Sequence, residues 1–194
     1  MAADSLKSLS ITNLDATSSP FIVTANTTGV GAGAYLKEIS DYVTPTSAGV
    51  ATTGSTYKMV RLPVYAKVKS LELFADGQLD TSGSPALAFD VGAYWSDSAF
   101  DGTPQLLQGT LISANCFAAA ATYGSVTGAS TRVDIKWTTV DRNEPLWVAL
   151  GLTFGLPNQT GAPPAGNIDV VLAVHTVAAT GASANLGISV KYVV

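Results

Sequence analysis

The sequence predicts an all-β protein, an antiparallel β-sandwich of jelly-roll or Greek-key type. Short runs alternate apolar and polar residues with period two, Gly, Pro, Asp and Ser clusters separate those runs, and chemically reactive side chains are scarce. In Arg132-Val133-Asp134-Ile135-Lys136-Trp137-Thr138, one face carries Val133, Ile135 and Trp137 and the other Arg132, Asp134 and Lys136, as a half-buried strand requires. The chain has 194 residues with one His and one Cys, a composition suited to forming a surface rather than to turning over a substrate.

Taken in order, residues 1–55 are rich in Ser, Thr, Gly and Ala and carry only short apolar pieces such as Phe21-Ile22-Val23. They are expected to form an extended N-terminal arm, with the sandwich occupying residues 56–194. Gly29-Val30-Gly31-Ala32-Gly33-Ala34 is too permissive to hold one conformation unaided, and Ala34–Asp41 has room for at most two helical turns. Thr44-Pro45-Thr46 and the turn Thr52-Thr53-Gly54-Ser55 lead into the β region.

Strand signals then follow at 57–61, 64–75, 87–95, 107–113, 131–139, 146–154, 168–177 and 186–193. In the second, the inward set changes from Val64, Ala66 and Val68 to Leu71, Leu73 and Ala75, a one-residue slip that predicts a β-bulge near Ser70. Leu87, Phe89, Val91, Ala93 and Trp95 alternate without error against Ala88, Asp90, Gly92 and Tyr94. Long connections, rather than two-residue hairpins, favour strands that cross between sheets. The Ala118–Ala121 run is compatible with a short helix in one such crossing.

Charged residues make up 12% of the chain against roughly a quarter in ordinary soluble domains, and the mean hydropathy is +0.30. A surface so poor in charge is expected to be covered by partners, including other copies of the chain as a dimer or trimer. The net charge is −4, and Arg61, Lys67 and Lys69 are the one local basic concentration, too little to attract nucleic acid by counterion release. No apolar run approaches a membrane span, and Met1–Lys7 lacks a basic region followed by an apolar one, so neither a membrane nor a secretory route is expected. The Asn26 and Asn158 glycosylation patterns are accordingly read as chance matches. A single cysteine, Cys116, fits a reducing compartment.

The parts for catalysis are missing. His175 lies mid-strand on the face of Asp169, Val171, Ala173 and Val177, with no nucleophile elbow and no Cys-His pairing, and reads as structural. Cys116 between Asn115 and Phe117 reads as a small buried hydrophobe. Asp76, Asp80, Asp90, Asp97 and Asp101 would suit a hard cation such as calcium, yet Asp76-Gly77 and Asp101-Gly102 are ordinary turn pairs and no EF-hand spacing is present, so neither a metal nor another cofactor is expected. Glu38, Glu72 and Glu144 are the only glutamates, which argues against a glycosidase pair. Tyr94, Trp95, Tyr123, Trp137 and Trp147 would suit a sugar-binding platform, but Trp95 and Trp137 fall in the inward register. Trp147, read as facing opposite Leu146, Val148 and Leu150, is the better contact residue.

Four stretches carry a resemblance. They are Gly54–Pro63 continuing through Ala66–Leu73, Phe89–Asp97, Glu144–Leu152, and Ile168–Val171 with Val177–Ala182. Together they resemble the strand-and-turn signature of small virion structural proteins of tailed bacteriophages, the head decoration or cement proteins. The resemblance implies a β-rich, non-enzymatic protein assembled in the host bacterial cytoplasm. It would bind the outside of the phage head and stabilise contacts between major capsid protein subunits. Tyr35, Leu36, Ile39, Tyr42 and Trp147 are the candidate contacts with capsid or sister subunit. The rival is a tail, fibre or receptor-recognition module whose aromatics bind host glycan.

Overall fold

A computed structural model describes residues 3–8, 11, 36–98, 103, 105–122, 133–134, 144–152 and 166–194. They form an all-β sandwich. The strands are β1 (Ser5–Lys7), β2 (Leu36–Val43), β3 (Thr56–Pro63), β4 (Lys67–Ala75), β5 (Ala88–Trp95), β6 (Leu111–Thr122), β7 (Val133–Asp134), β8 (Asn167–Thr176) and β9 (Leu186–Val193). Two single-turn helices, α1 (Ser47–Val50) and α2 (Leu146–Ala149), complete the described elements. One sheet has the order β1-β3-β8-β5-β6 and the other β2-β9-β4-β7. The pairings are antiparallel except β1 with β3. β8 and β9 each have a partner on both sides, so the two last strands of the chain are inner strands of the two sheets.

Period-two alternation builds the core, because every second side chain points between the sheets. Tyr57, Met59 and Leu62 on β3, Phe89 and Val91 on β5, and Ile168, Val170 and Leu172 on β8 come from one sheet. Leu71 and Leu73 on β4 with Leu186, Ile188 and Val190 on β9 come from the other. The rings of Tyr57 and Phe89 meet edge to face, 6.2 Å between centroids. The expected bulge in β4 is present: its register against β9 shifts between Val68 and Ser70, which keeps Val68, Leu71, Leu73 and Ala75 all buried.

Four expectations about local structure are corrected. The Ala34–Asp41 piece, allowed at most two helical turns, contributes instead to β2, which pairs with β9 from Leu36↔Val193 to Val43↔Leu186. Two helical turns cannot repay nucleation, whereas the alternation of Ile39, Asp41 and Val43 inward with Leu36, Glu38, Ser40 and Tyr42 outward fits a strand beside β9. The described parts of residues 1–55 are likewise woven into the sandwich rather than extended away from it: β1 pairs with β3, Ser8 N donates to Lys58 O, and Ile11 is fully buried. The Leu146–Phe154 run begins not as a strand but as α2, directly after Pro145, with Leu146 buried and Val148 exposed. An apolar run this short carries no reliable period, and here the backbone bonds of Leu146 N to Ala66 O and Trp147 N to Val64 O anchor the helical turn.

The fourth correction is β6. The run expected as a strand from residue 107 is a turn at 105–109, and the Ala118–Ala121 run, compatible with a short helix in sequence, is strand. Ser113 pairs with Ala93 and Ala118 with Val91, so the stretch between them bulges out opposite Gly92. A Cβ at Gly92 would run into the carbonyl oxygens of Ser113 and Ala114, so only glycine lets β6 close over β5 there.

Candidate interaction surfaces

The outward face of the five-stranded sheet carries an ion network in place of an open site. Arg61, 3% exposed at its side chain, donates from Nε to Asp169 Oδ1 at 2.6 Å and from Nη2 to Asp169 Oδ2 at 3.0 Å; Asp169 is fully buried. Arg61 Nη2 also reaches Asp97 Oδ1 at 3.2 Å, and Lys58 and Lys7 close on Asp97 Oδ2 at 2.8 and 2.6 Å. Burial disfavours charge on Asp97, but the hydrogen bonds and charges of Lys58 and Lys7 outweigh it and hold the carboxyl well below the usual carboxylate range. Burial pushes the Asp169 carboxyl up, against the hydrogen bonds and charge of Arg61. This network joins β1, β3, β8 and the segment after β5, and each of its charges faces a partner. Its buried members, Arg61 and Asp169, are paired with each other. Sequence reasoning missed it, although Lys58 and Arg61 interrupting the apolar run of β3, and Asp169 that of β8, were its visible signals.

On the same face His175 Nδ1 lies 3.0 Å from Asp90 Oδ2, and Asp90 Oδ1 accepts from Ala120 N at 2.8 Å. His175 thus helps tie β8 to β5 and β6. Cys116 is buried, and burial pushes its thiol up to about 12, far from a reactive thiolate.

The two ends of the sandwich differ in character. One, where β2, β4 and β9 meet the loops after β4 and β8, is closed by carboxylates accepting backbone hydrogens. Buried Asp80 accepts from the N–H groups of Ser82, Ala86, Ala179 and Thr180 at 2.9–3.2 Å. Burial opposes its charge, yet the amides of Ala86, Thr180 and Ser82 hold it well below the usual carboxylate range. Asp76 accepts from Asn185 N and Nδ2, and Asp4 Oδ2 from Thr46 N and Oγ1. The acidic residues considered for a cation are therefore engaged with N–H donors or cations, apart from Asp101, which lies outside the described residues. Among the described residues no three His, Cys, Asp or Glu side chains converge on a metal position.

The opposite end is apolar. Antiparallel pairing brings together the start of β2, the end of β9, the β3–β4 turn, the start of β8 and the connection from β5 to β6. Leu36 (61% exposed) and Val194 stand at one side of this end, Tyr65 (50%) in the β3–β4 turn, and Val148 on α2, which is pinned beneath that turn by Leu146 N to Ala66 O and Trp147 N to Val64 O. Leu106, 94% exposed, tops the turn before β6, with Leu107 and Leu111 beside it.

The predicted contact residues separate accordingly. Ile39 is 7% exposed and faces the core, and Trp147 is half-buried against it. Leu36 and Tyr42 are exposed on the outward face of β2 but at opposite ends of it, about 20 Å apart at ~3.4 Å per residue. Tyr35 lies outside the described residues. Of the aromatics considered for glycan, Trp95 is buried, Tyr94 and Trp147 are half-buried, and Tyr123 and Trp137 lie outside the described residues. Among the described residues no helix is long and apolar enough to cross a membrane.

Solved structures share this architecture. A chain of the cyanophage Pam1 capsid asymmetric unit is similar at 25% identity and a TM-score of 0.54, over 86% of this chain and 89% of that one. Its fold is shared with a phage capsid constituent. A chain in the capsid of Ralstonia phage GP4 has the same fold at 20% identity and a TM-score of 0.55, covering 84% of this chain and 88% of that one. No protein-family model and no curated protein matches the sequence.

Proposed function

We propose that this chain is a virion structural protein of a tailed phage, a decoration (cement) protein that binds the outer surface of the head and stabilises contacts between major capsid protein subunits. The observation that carries the reading is the extent of the likeness to the Pam1 capsid chain, 86% of one chain against 89% of the other, which makes it a likeness between whole chains rather than a shared module. The ionisable clusters support a non-enzymatic role, since their charges are spent on internal pairs and backbone amides.

The mechanism follows from bivalence. A copy seated across a subunit junction makes a first contact that holds it at high effective concentration for the second, so opening the junction requires losing both. At about 25 cal/mol per Å², a few hundred Å² of apolar burial on each neighbour supplies several kcal/mol before ordering costs. Copies are also expected to associate with one another as a dimer or trimer, given the low charge; sedimentation equilibrium returning the monomer mass in solution and on the particle would contradict that.

The test is co-sedimentation with heads stripped of accessory proteins. Saturable binding at hundreds of copies per head is the expected result. Absence of binding, or a handful of copies, would refute decoration and point to a tail or vertex component.

A further inference from the structure

We propose that the apolar end of the sandwich is the face that seats on the capsid, and that it meets a shell surface with an apolar centre and an acidic rim. This deepens the capsid reading above and rests on it. The large hydrophobic side chains exposed among the described residues gather at this end, with Tyr42 alone at the other. Isolated exposed leucines need no explanation, but their concentration at one end of a fold whose other end is sealed by polar ties does.

Leu106 is the anchor. Its turn is braced from below: Gly109 N donates to Trp95 O at 3.1 Å and to Ser96 O at 3.2 Å, Gln108 Nε2 to Ser98 O at 3.2 Å, and Thr110 N to Leu107 O at 3.0 Å. Gly109, at φ 69°, makes the tight return that this bracing needs. A leucine 94% exposed on a turn held this firmly has little backbone entropy left to lose on docking, which is the property of a pre-organised contact.

Charge selects the partner. The chain is −4 overall, yet the register rows nearest this end concentrate lysine: Lys67 opposite Val193, Lys37 opposite Tyr192, and Lys191 opposite Glu38. None of Lys37, Lys67 and Lys191 has an ion-pair partner among the described residues. A second copy docked isologously by this end would set the lysine rim against itself, which costs affinity. A shell surface carrying carboxylates around an apolar depression satisfies both the leucines and the lysines.

The experiment is quantitative co-sedimentation of the full chain with stripped heads at two salt concentrations, using wild type, Leu106→Asp, the Lys67→Glu/Lys191→Glu pair, and Tyr42→Ser as the far-end control. Thermal melts check each fold, and sedimentation velocity each solution mass. Leu106→Asp is expected to weaken head binding at least about tenfold, the lysine pair to weaken it and flatten its salt dependence, and Tyr42→Ser to bind like wild type. Should Leu106→Asp fail to fold, the lysine pair on the surface of β4 and β9 decides. Wild-type affinity in both altered proteins would overturn the proposal while leaving decoration intact, as would a drop in solution mass with head binding unchanged, which would make this end a self-association face. Failure of wild type itself to bind heads would instead refute the decoration reading.

Discussion

Replacing Asp169 by Asn tests whether the ion network is a keystone of the five-stranded sheet. The substitution keeps shape but removes the charge facing Arg61, whose side chain is 3% exposed and cannot deprotonate. Asn offers one acceptor oxygen where the carboxylate receives Nε at 2.6 Å and Nη2 at 3.0 Å, and turns an N–H toward the guanidinium. Removing one member of a buried pair costs about 3–5 kcal/mol. The remaining contact of Arg61 with Asp97 at 3.2 Å places the expected loss near the lower figure, about 3 kcal/mol. For a chain of this size that corresponds to roughly 6–12 °C in Tm. Equilibrium urea unfolding followed by far-UV circular dichroism measures it, with the double replacement Arg61→Met/Asp169→Leu as the control that removes both charges. The double variant should recover most of the loss, because it leaves no orphaned charge in that pair. A single variant losing under ~1 kcal/mol, or a double variant less stable than the single, would refute the reasoning.

Gly92→Ala should destabilise by about 1–3 kcal/mol, because the new methyl forces the β6 bulge off β5; an unchanged urea midpoint would mean the bulge yields freely. Native Cys116, with its thiol raised to about 12 by burial, should resist an aromatic disulfide reagent at pH 8 and react fully in urea; rapid native labelling would contradict its burial. Asp80 and Asp97 both titrate below their ordinary 3.8, so the unfolded chain takes up these protons first as pH falls. Their stabilisation is present in full above about pH 5 and lost progressively below it, so urea midpoints should hold from pH 7 to 5 and then fall, less steeply in Asp80→Asn.

The strands with strict alternation and turn-rich borders were legible in the sequence. The expected runs 87–95, 168–177 and 186–193 lie within about a residue of β5, β8 and β9, and the β4 slip was visible because its inward set changes parity. What misled was local likeness without tertiary context. Leu146-Trp147-Val148-Ala149 alternates no better than it winds, and only the hydrogen bonds of α2 to Val64 and Ala66 decide its shape. β2 carries Asp41 inward where a core residue was expected, so its period was masked, and its partner β9 lies at the far end of the sequence. Of the candidate contact residues, Leu36 and Tyr42 could be recognised as surface residues but not as occupying opposite ends of a strand. Leu106 gave no signal at all, since exposure at a turn is decided by what packs beneath it.

The placement of β8 and β9 has a consequence for synthesis. A ribosome making this chain delivers β8 and β9 after the strands they join, so β2, β3, β4 and β5 emerge before their shared partners exist. The sandwich is therefore completed only once the stretch ending at Val193 is free. Chains arrested before that point should remain open to protease along their whole length, and loss of the last strand should abolish the fold rather than trim it.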